Sequence, residues 1–219
     1  MKIDTKYGFQ GVHQLSEDLI VVFYGRTNLL HLSGSKERKE YALSTITTLL
    51  NYSLNEIIEI VKPTFHPFPI QKKDIPQFSD LMTVFKIPYL LKNCCIDGVN
   101  YEQMGYMLRT ERRKLGADKK YGENHMKTAE QMGLCDIRHY MAYPNEIGDG
   151  YVSLDKDSQR KIIPHFCLSI PFIQNYFMTG MNDEYLKDMM SILSESTIKR
   201  RLTNVNTLIS TIKASINGI

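Results

Sequence analysis

The sequence predicts a mainly α-helical protein of the α+β kind. Three observations carry that expectation. Apolar residues recur at helical spacing through most of the chain after residue 76, these runs open on Ser, Asp or Asn placed as caps, and strand-like stretches are few and short.

Residues 1–62 read as a small α+β unit. "LIVVFY" (19–24) and "NLLHLS" (28–33) flank a turn at Gly25, Arg26 and Thr27, the pattern of a hairpin. The polar "GSKERKE" then opens a helix with Tyr41, Leu43, Ile46, Leu49 and Leu50 at helical spacing. Ser53 followed three residues later by Glu56 is a capping box for a helix carrying Ile57, Ile58, Ile60 and Val61. "KPTFHPFPIQKKDIP" (62–76) holds Pro63, Pro67, Pro69 and Pro76; proline lacks the amide that extends a helix or central strand, so residues 63–76 read as a linker.

Beyond it, Ser79 or Asp80 caps a helix reaching about Cys95, with a break expected at Pro88 and Leu81, Val84, Phe85, Leu90 and Leu91 inside. Asn100 caps "YEQMGYML", which buries Met104, Met107 and Leu108. A polar loop follows, then "ADKKYGENHMKTAEQMG", with Met126, Ala129 and Met132 on one side and Gly133 as the C-cap. Residues 135–154 read as two short strands around Pro144-Asn145 and Gly148-Asp149-Gly150. Three helices and a β-hairpin, in that order, make a winged helix over 77–156.

Residues 157–219 are helical again. A helix over 157–178 carries Ile162, Ile163, Phe166, Ile170 and Phe172 and is bent or divided by Pro164 and Pro171. "NDEYLKDMMSIL" starts at a cap, Asn182 or Asp183. The short link "SES" leads into a last helix burying Ile198, Leu202, Val205, Leu208, Ile209 and Ile212. The expected form is a second, trihelical helix-turn-helix, with the shorter turn of the two.

Charge suggests what these helices meet. The net charge of +3 is too small to imply a partner by itself. Its distribution says more: Arg109, Arg112, Arg113, Lys114, Lys119, Lys120 and Lys127 face only Glu111, Asp118 and Glu123 between 109 and 127, and Lys199, Arg200 and Arg201 form a second cluster. Basic charge at the start of the third helix of each unit is the footprint of a protein that sits on phosphates. Side chains in the first turns of such a helix reach base edges and phosphates. The candidates are Lys119, Lys120, Tyr121, Asn124, His125 and Thr128 in the first unit and Ser196, Thr197, Lys199, Arg200, Arg201 and Asn204 in the second, with Arg138, His139 and Lys156 as wing residues. The plainer alternatives stay open: a solvated basic helix face, serines acting only as caps, and a surface His125.

Other chemistry has less to stand on. Asp18 with Glu37 and Lys39 has the content of a magnesium-dependent endonuclease site, the one setting in which a metal cofactor is expected. Neither a phosphate-binding G-x-x-x-x-G-K loop nor a G-x-S-x-G elbow occurs, and the histidines lack metal-ligand spacing. Cys94, Cys95, Cys135 and Cys167 form no zinc pattern and read as reduced core thiols. No apolar run reaches 18 residues and the N-terminus lacks a signal-peptide core, so a cytoplasmic, non-membrane protein is expected.

At "KKYGENHMKTAEQMGL" and "LSESTIKRRLTNV" the chain resembles a helical winged-helix module that accompanies bacterial restriction and phage-defence proteins, over about residues 77–215. The resemblance implies DNA binding, with Tyr121, Gly122, Asn124 and His125 in one motif and Ser196, Thr197, Arg200 and Arg201 in the other. The expected function is double-stranded DNA binding as a transcription regulator or as the recognition component of a restriction or defence system. Its expected partners are duplex DNA, a second copy of the chain, or a larger defence complex. A small type II restriction endonuclease and a helical protein-interaction module are the competing expectations.

Overall fold

The computed structural model describes residues 12–16, 19–22, 40, 42–43, 46–47, 49–65, 67, 69–109 and 116–218. Among them the chain is mainly helical, with two small antiparallel sheets. None of the described helices is long and apolar enough to cross a membrane.

β1 (Val12–Ser16) pairs with β2 (Leu19–Val22), Val12 opposite Val22. The strand expected at 19–24 is thus seen over 19–22, with the preceding segment as its partner. The expected turn at 25–27 and second strand at 28–33 lie outside the described residues, as do Asp18, Glu37 and Lys39. Helical residues follow at 42–43, 46–47 and 49–51, with Ala42 and Ile46 buried and Leu43 exposed.

α1 (Leu54–Val61) starts on the expected capping box: the Glu56 amide donates to Ser53 Oγ, and the Ser53 amide donates to Glu56 Oε2 at 2.7 Å. It buries Leu54, Ile57, Ile58 and Val61. Asp80 caps α2 (Leu81–Val84), and α3 (Ile87–Cys94) follows. The break between them falls at Phe85 and Lys86, two residues before Pro88. Pro88 lies in the first turn of α3, where a missing amide costs nothing.

β3 (Val99–Asn100) runs into α4 (Tyr101–Leu108), whose cap is Asn100, and α5 (Ala117–Gln131) closes on Gly133 at φ 77°. β4 (Asp136–Arg138) and β5 (Met141–Tyr143) form the hairpin, and β3 adds to it in the order β3-β5-β4, with Val99 and Ile137 on either side of Ala142. The hairpin turn is His139-Tyr140, both at positive φ, so the expected turn at Pro144-Asn145 is displaced. Asn145 is instead the cap of α6 (Glu146–Ser153): its Oδ1 accepts from the Gly148 amide and its Nδ2 donates to the Gly133 carbonyl. Gly148-Asp149-Gly150 therefore lie inside a helix, not a strand.

α7 (Lys156–Leu168) continues through Pro164, and the division falls just before Pro171, which opens α8 (Pro171–Met178). α9 (Asp183–Met190), capped by Asn182, precedes α10 (Glu195–Ile216). α10 packs on α7, α1 and α8, and α6 packs on α3. Phe85, Tyr89, Tyr151 and Phe166 join these layers ring to ring, and the buried apolar residues form one core from Ala42 to Ile212.

The closest packing is between α4 and α5. A Cβ on Gly105 would stand 1.9 Å from the Asp118 carbonyl oxygen, and one on Gly122 would stand 1.9 Å from that of Tyr101. Only glycine at both positions lets the two backbones touch. Gly122→Ala should therefore lower the unfolding free energy by about 3 kcal/mol or prevent folding, since rigid backbone blocks the added methyl. Gly133→Ala, which meets nothing within 4 Å, should cost only about 1 kcal/mol through its positive φ. Urea unfolding of the two variants checks the difference.

Candidate nucleic-acid interface

The expected linker is held along its second half. The Asp74 amide donates to the Gln71 carbonyl and the Gln71 amide to Asp74 Oδ2, which makes a tight turn, and Asp74, Ile75 and Phe78 are buried. An extended segment flanked by helices has no ladder for its carbonyls, and buried carbonyls need donors. Side chains of α5 and α10 supply them. Gln131 Nε2 donates to the carbonyls of Lys73 and Asp74, and Thr128 Oγ1 to that of Gln77. Arg201 Nη1 donates to the carbonyls of Lys72 (2.6 Å) and Ile75 (2.9 Å), and Asn204 Nδ2 to that of Phe78 (2.5 Å).

His125 completes the clamp. The Ser79 amide donates to its Nε2 at 3.1 Å, so the proton sits on Nδ1 and is donated to the Tyr121 carbonyl at 2.8 Å. Burial pushes its pKa below the usual imidazole range and keeps this neutral tautomer. Tyr121 lies 4.2 Å from the His125 ring, accepts from Ser79 Oγ, and carries the Arg109 guanidinium over its face at 4.4 Å. Arg109 also pairs with Asp118 at 2.7 Å.

Five residues expected at base edges are thereby reassigned. His125, Thr128 and Asn204 are buried, Tyr121 is enclosed between Arg109 and His125, and Arg201 is spent on backbone carbonyls. Thr197 Oγ1 accepts from Ser194 Oγ at the start of α10, and Ser194 stands at the N-cap position without a side-chain hydrogen bond to the helix amides. Lys156 is the first residue of α7 and lies outside the hairpin.

What remains outward forms a different surface. Lys119, Ser196, Lys199 and Arg200 are exposed. Lys120 and Lys127 hold Glu123 between them, at 2.9 and 2.5 Å. Burial acts to raise the Glu123 pKa, and the hydrogen bonds from Lys127 and Lys120 outweigh it and hold the carboxyl below its ordinary value. A narrow cleft beside this trio is lined by Lys73, Gln77, Lys120, Asn124, Lys127 and Arg201, so parts of both basic clusters meet there. Lys127 Nζ stands 6.0 Å from the centre of the Tyr101 ring, and Tyr140 at the hairpin tip, 77% exposed, meets Tyr101 edge-on at 6.2 Å. The hairpin tip therefore adjoins the outer edge of α5. Arg138, 3.3 Å from Asp136, and exposed His139 flank that tip.

Lys72, Lys73 and Tyr140 were not singled out from the sequence. The two lysines sit in what reads as a linker, and nothing local marks His139-Tyr140 as a turn. No protein-family model, no curated protein and no solved structure matches the chain.

The clamp and the free cations separate experimentally. Arg201→Ala should lower the unfolding free energy by about 2 to 3 kcal/mol, because two carbonyls lose a charged donor. Arg200→Ala, one position away and exposed, should change it by less than about 0.5 kcal/mol. Chemical denaturation of both variants checks this.

Proposed function

We propose that the protein binds double-stranded DNA through a winged-helix module made of α3, β3, α4, α5, β4 and β5. The observation that supports this best is the placement of the hairpin. β5 pairs with β3 at the foot of α4, and Tyr140 rests on Tyr101, so the hairpin tip stands beside the edge of α5 that carries Lys120, Asn124 and Lys127. A helix edge and a hairpin tip side by side, both basic, match a duplex groove and its flanking phosphates.

In this reading Lys119, Lys120 and Lys127 contact phosphate, as do Lys73 from the clamped segment and Arg138 from the hairpin. Asn124 is the base reader, since its amide offers adenine a donor and an acceptor. Lys199 and Arg200 extend the phosphate track onto α10, so the second helix-turn-helix contributes charge and its helix serves mainly as scaffold. Within this reading the protein acts as a regulator or as the recognition component of a restriction or defence system, the roles that the resemblance over 77–215 implies.

Fluorescence anisotropy with a labelled random duplex, measured across a salt series, tests the reading. Binding is expected at low salt. The double variant Lys119→Ala, Lys120→Ala should weaken it and reduce the log–log salt slope by about two, one for each lost phosphate contact. No retention of duplex at low salt, or an unchanged slope in the double variant, contradicts it.

A further inference from the structure

Cys94 and Cys95 take no part in this surface, and they also depart from the reading of all four cysteines as core thiols. Cys135 and Cys167 are buried, but Cys94 is exposed and Cys95 half-buried. α3 ends here: Cys94 is its last residue, and Cys95 is the cap where the backbone leaves the helix at φ −139°, ψ 45°. The Cys95 thiol meets the Met107 thioether of α4, Sγ to Sδ 3.9 Å. All three residues line one open cleft of about 990 Å³ between the end of α3, the loop to β3, and α4.

No three His, Cys, Asp or Glu side chains among the described residues gather at a point. The set at this cleft is complete only when the thioether is counted, which makes it an all-sulfur set. Thiolate and thioether donors select soft ions, above all Cu(I), whereas magnesium and calcium need oxygen. The spacing also fits. With metal–sulfur bonds of about 2.3 Å, two sulfurs of a trigonal site stand about 4 Å apart, close to the 3.9 Å between Cys95 and Met107. Cys94 is the next residue along the chain, with its Cα about 3.8 Å away, and it is exposed and lines the same cleft.

We propose that Cys94, Cys95 and Met107 form a trigonal binding site for a soft monovalent metal ion of the Cu(I) class. Each thiol loses its proton to solvent as its sulfur binds, so one Cu(I) displaces two protons and the occupied site carries one negative charge. The charged residues of the cleft wall are Lys92, whose Nζ is held by the Asp149 carbonyl and Ser153 Oγ of α6, and the acids Asp97, Glu102 and Asp118. A bound ion would tie the end of α3 to α4, the helix that packs on α5.

Anaerobic titration of the reduced full-length chain with Cu(I), against a chromogenic copper chelator as competitor, tests the site. One equivalent should bind, and affinity should fall up to about a hundredfold for each pH unit lowered, as two displaced protons require. Cys94→Ser and Cys95→Ser should each weaken binding by at least about a hundredfold and Met107→Leu by about tenfold, since each removes a soft ligand. Met82→Leu, an exposed thioether outside the cleft, should change nothing. Absence of one-to-one uptake by the wild type, or undiminished uptake by the Cys94→Ser, Cys95→Ser variant, overturns the proposal.

Discussion

Gly105 and Gly122 let the backbones of α4 and α5 touch, and the candidate surface takes its shape from that contact. Tyr101, one turn before Gly105, carries the hairpin tip through Tyr140, and its carbonyl lies against Gly122. Asp118, one turn before Gly122, lies against Gly105 and pairs with Arg109 just beyond the end of α4. A bulkier residue at either glycine would separate the helices and with them the hairpin from the lysines of α5. Protein interiors do not absorb such a displacement smoothly, because their packing is as dense as that of molecular crystals.

The second organising feature is the segment 72–79. It runs between α5 and α10 without sheet partners, and its carbonyls take hydrogen bonds from Thr128, Gln131, Arg201 and Asn204 while its Ser79 amide is received by His125. A buried carbonyl left without a donor costs on the order of 1 to 3 kcal/mol. The polar side chains of these two helices thus hold the chain in place, and the same contacts bring Lys73 and Arg201 to the cleft beside Lys120 and Asn124.

Local features were legible in the sequence. Ser53, Asp80, Asn100 and Asn182 cap helices, and Gly133 ends α5, because capping depends on residues within one turn. The hairpin was legible as to region but displaced in register, because Asn145 serves equally as a turn residue and as a helix cap. The side chains facing segment 72–79 were misjudged for a physical reason. Tyr121, His125 and Thr128 follow one another at i, i+4 and i+7, and Arg201 and Asn204 at i and i+3, so each set forms a polar stripe on one helix face. Such a stripe has the same pattern whether it faces water, a nucleic acid or an extended segment of its own chain. Only the fold distinguishes them, and here it turns both stripes inward.

The proposed surface for duplex DNA joins the outer edge of α5 to the adjoining hairpin tip. Hydrogen–deuterium exchange of the full chain, with and without a saturating random duplex at low salt, tests this most directly. A duplex seated on that surface should add protection at 71–73, over the first half of α5 and at 138–140, with the core helix α8 unchanged. Protection confined to other parts of the chain, or none at all, would contradict it.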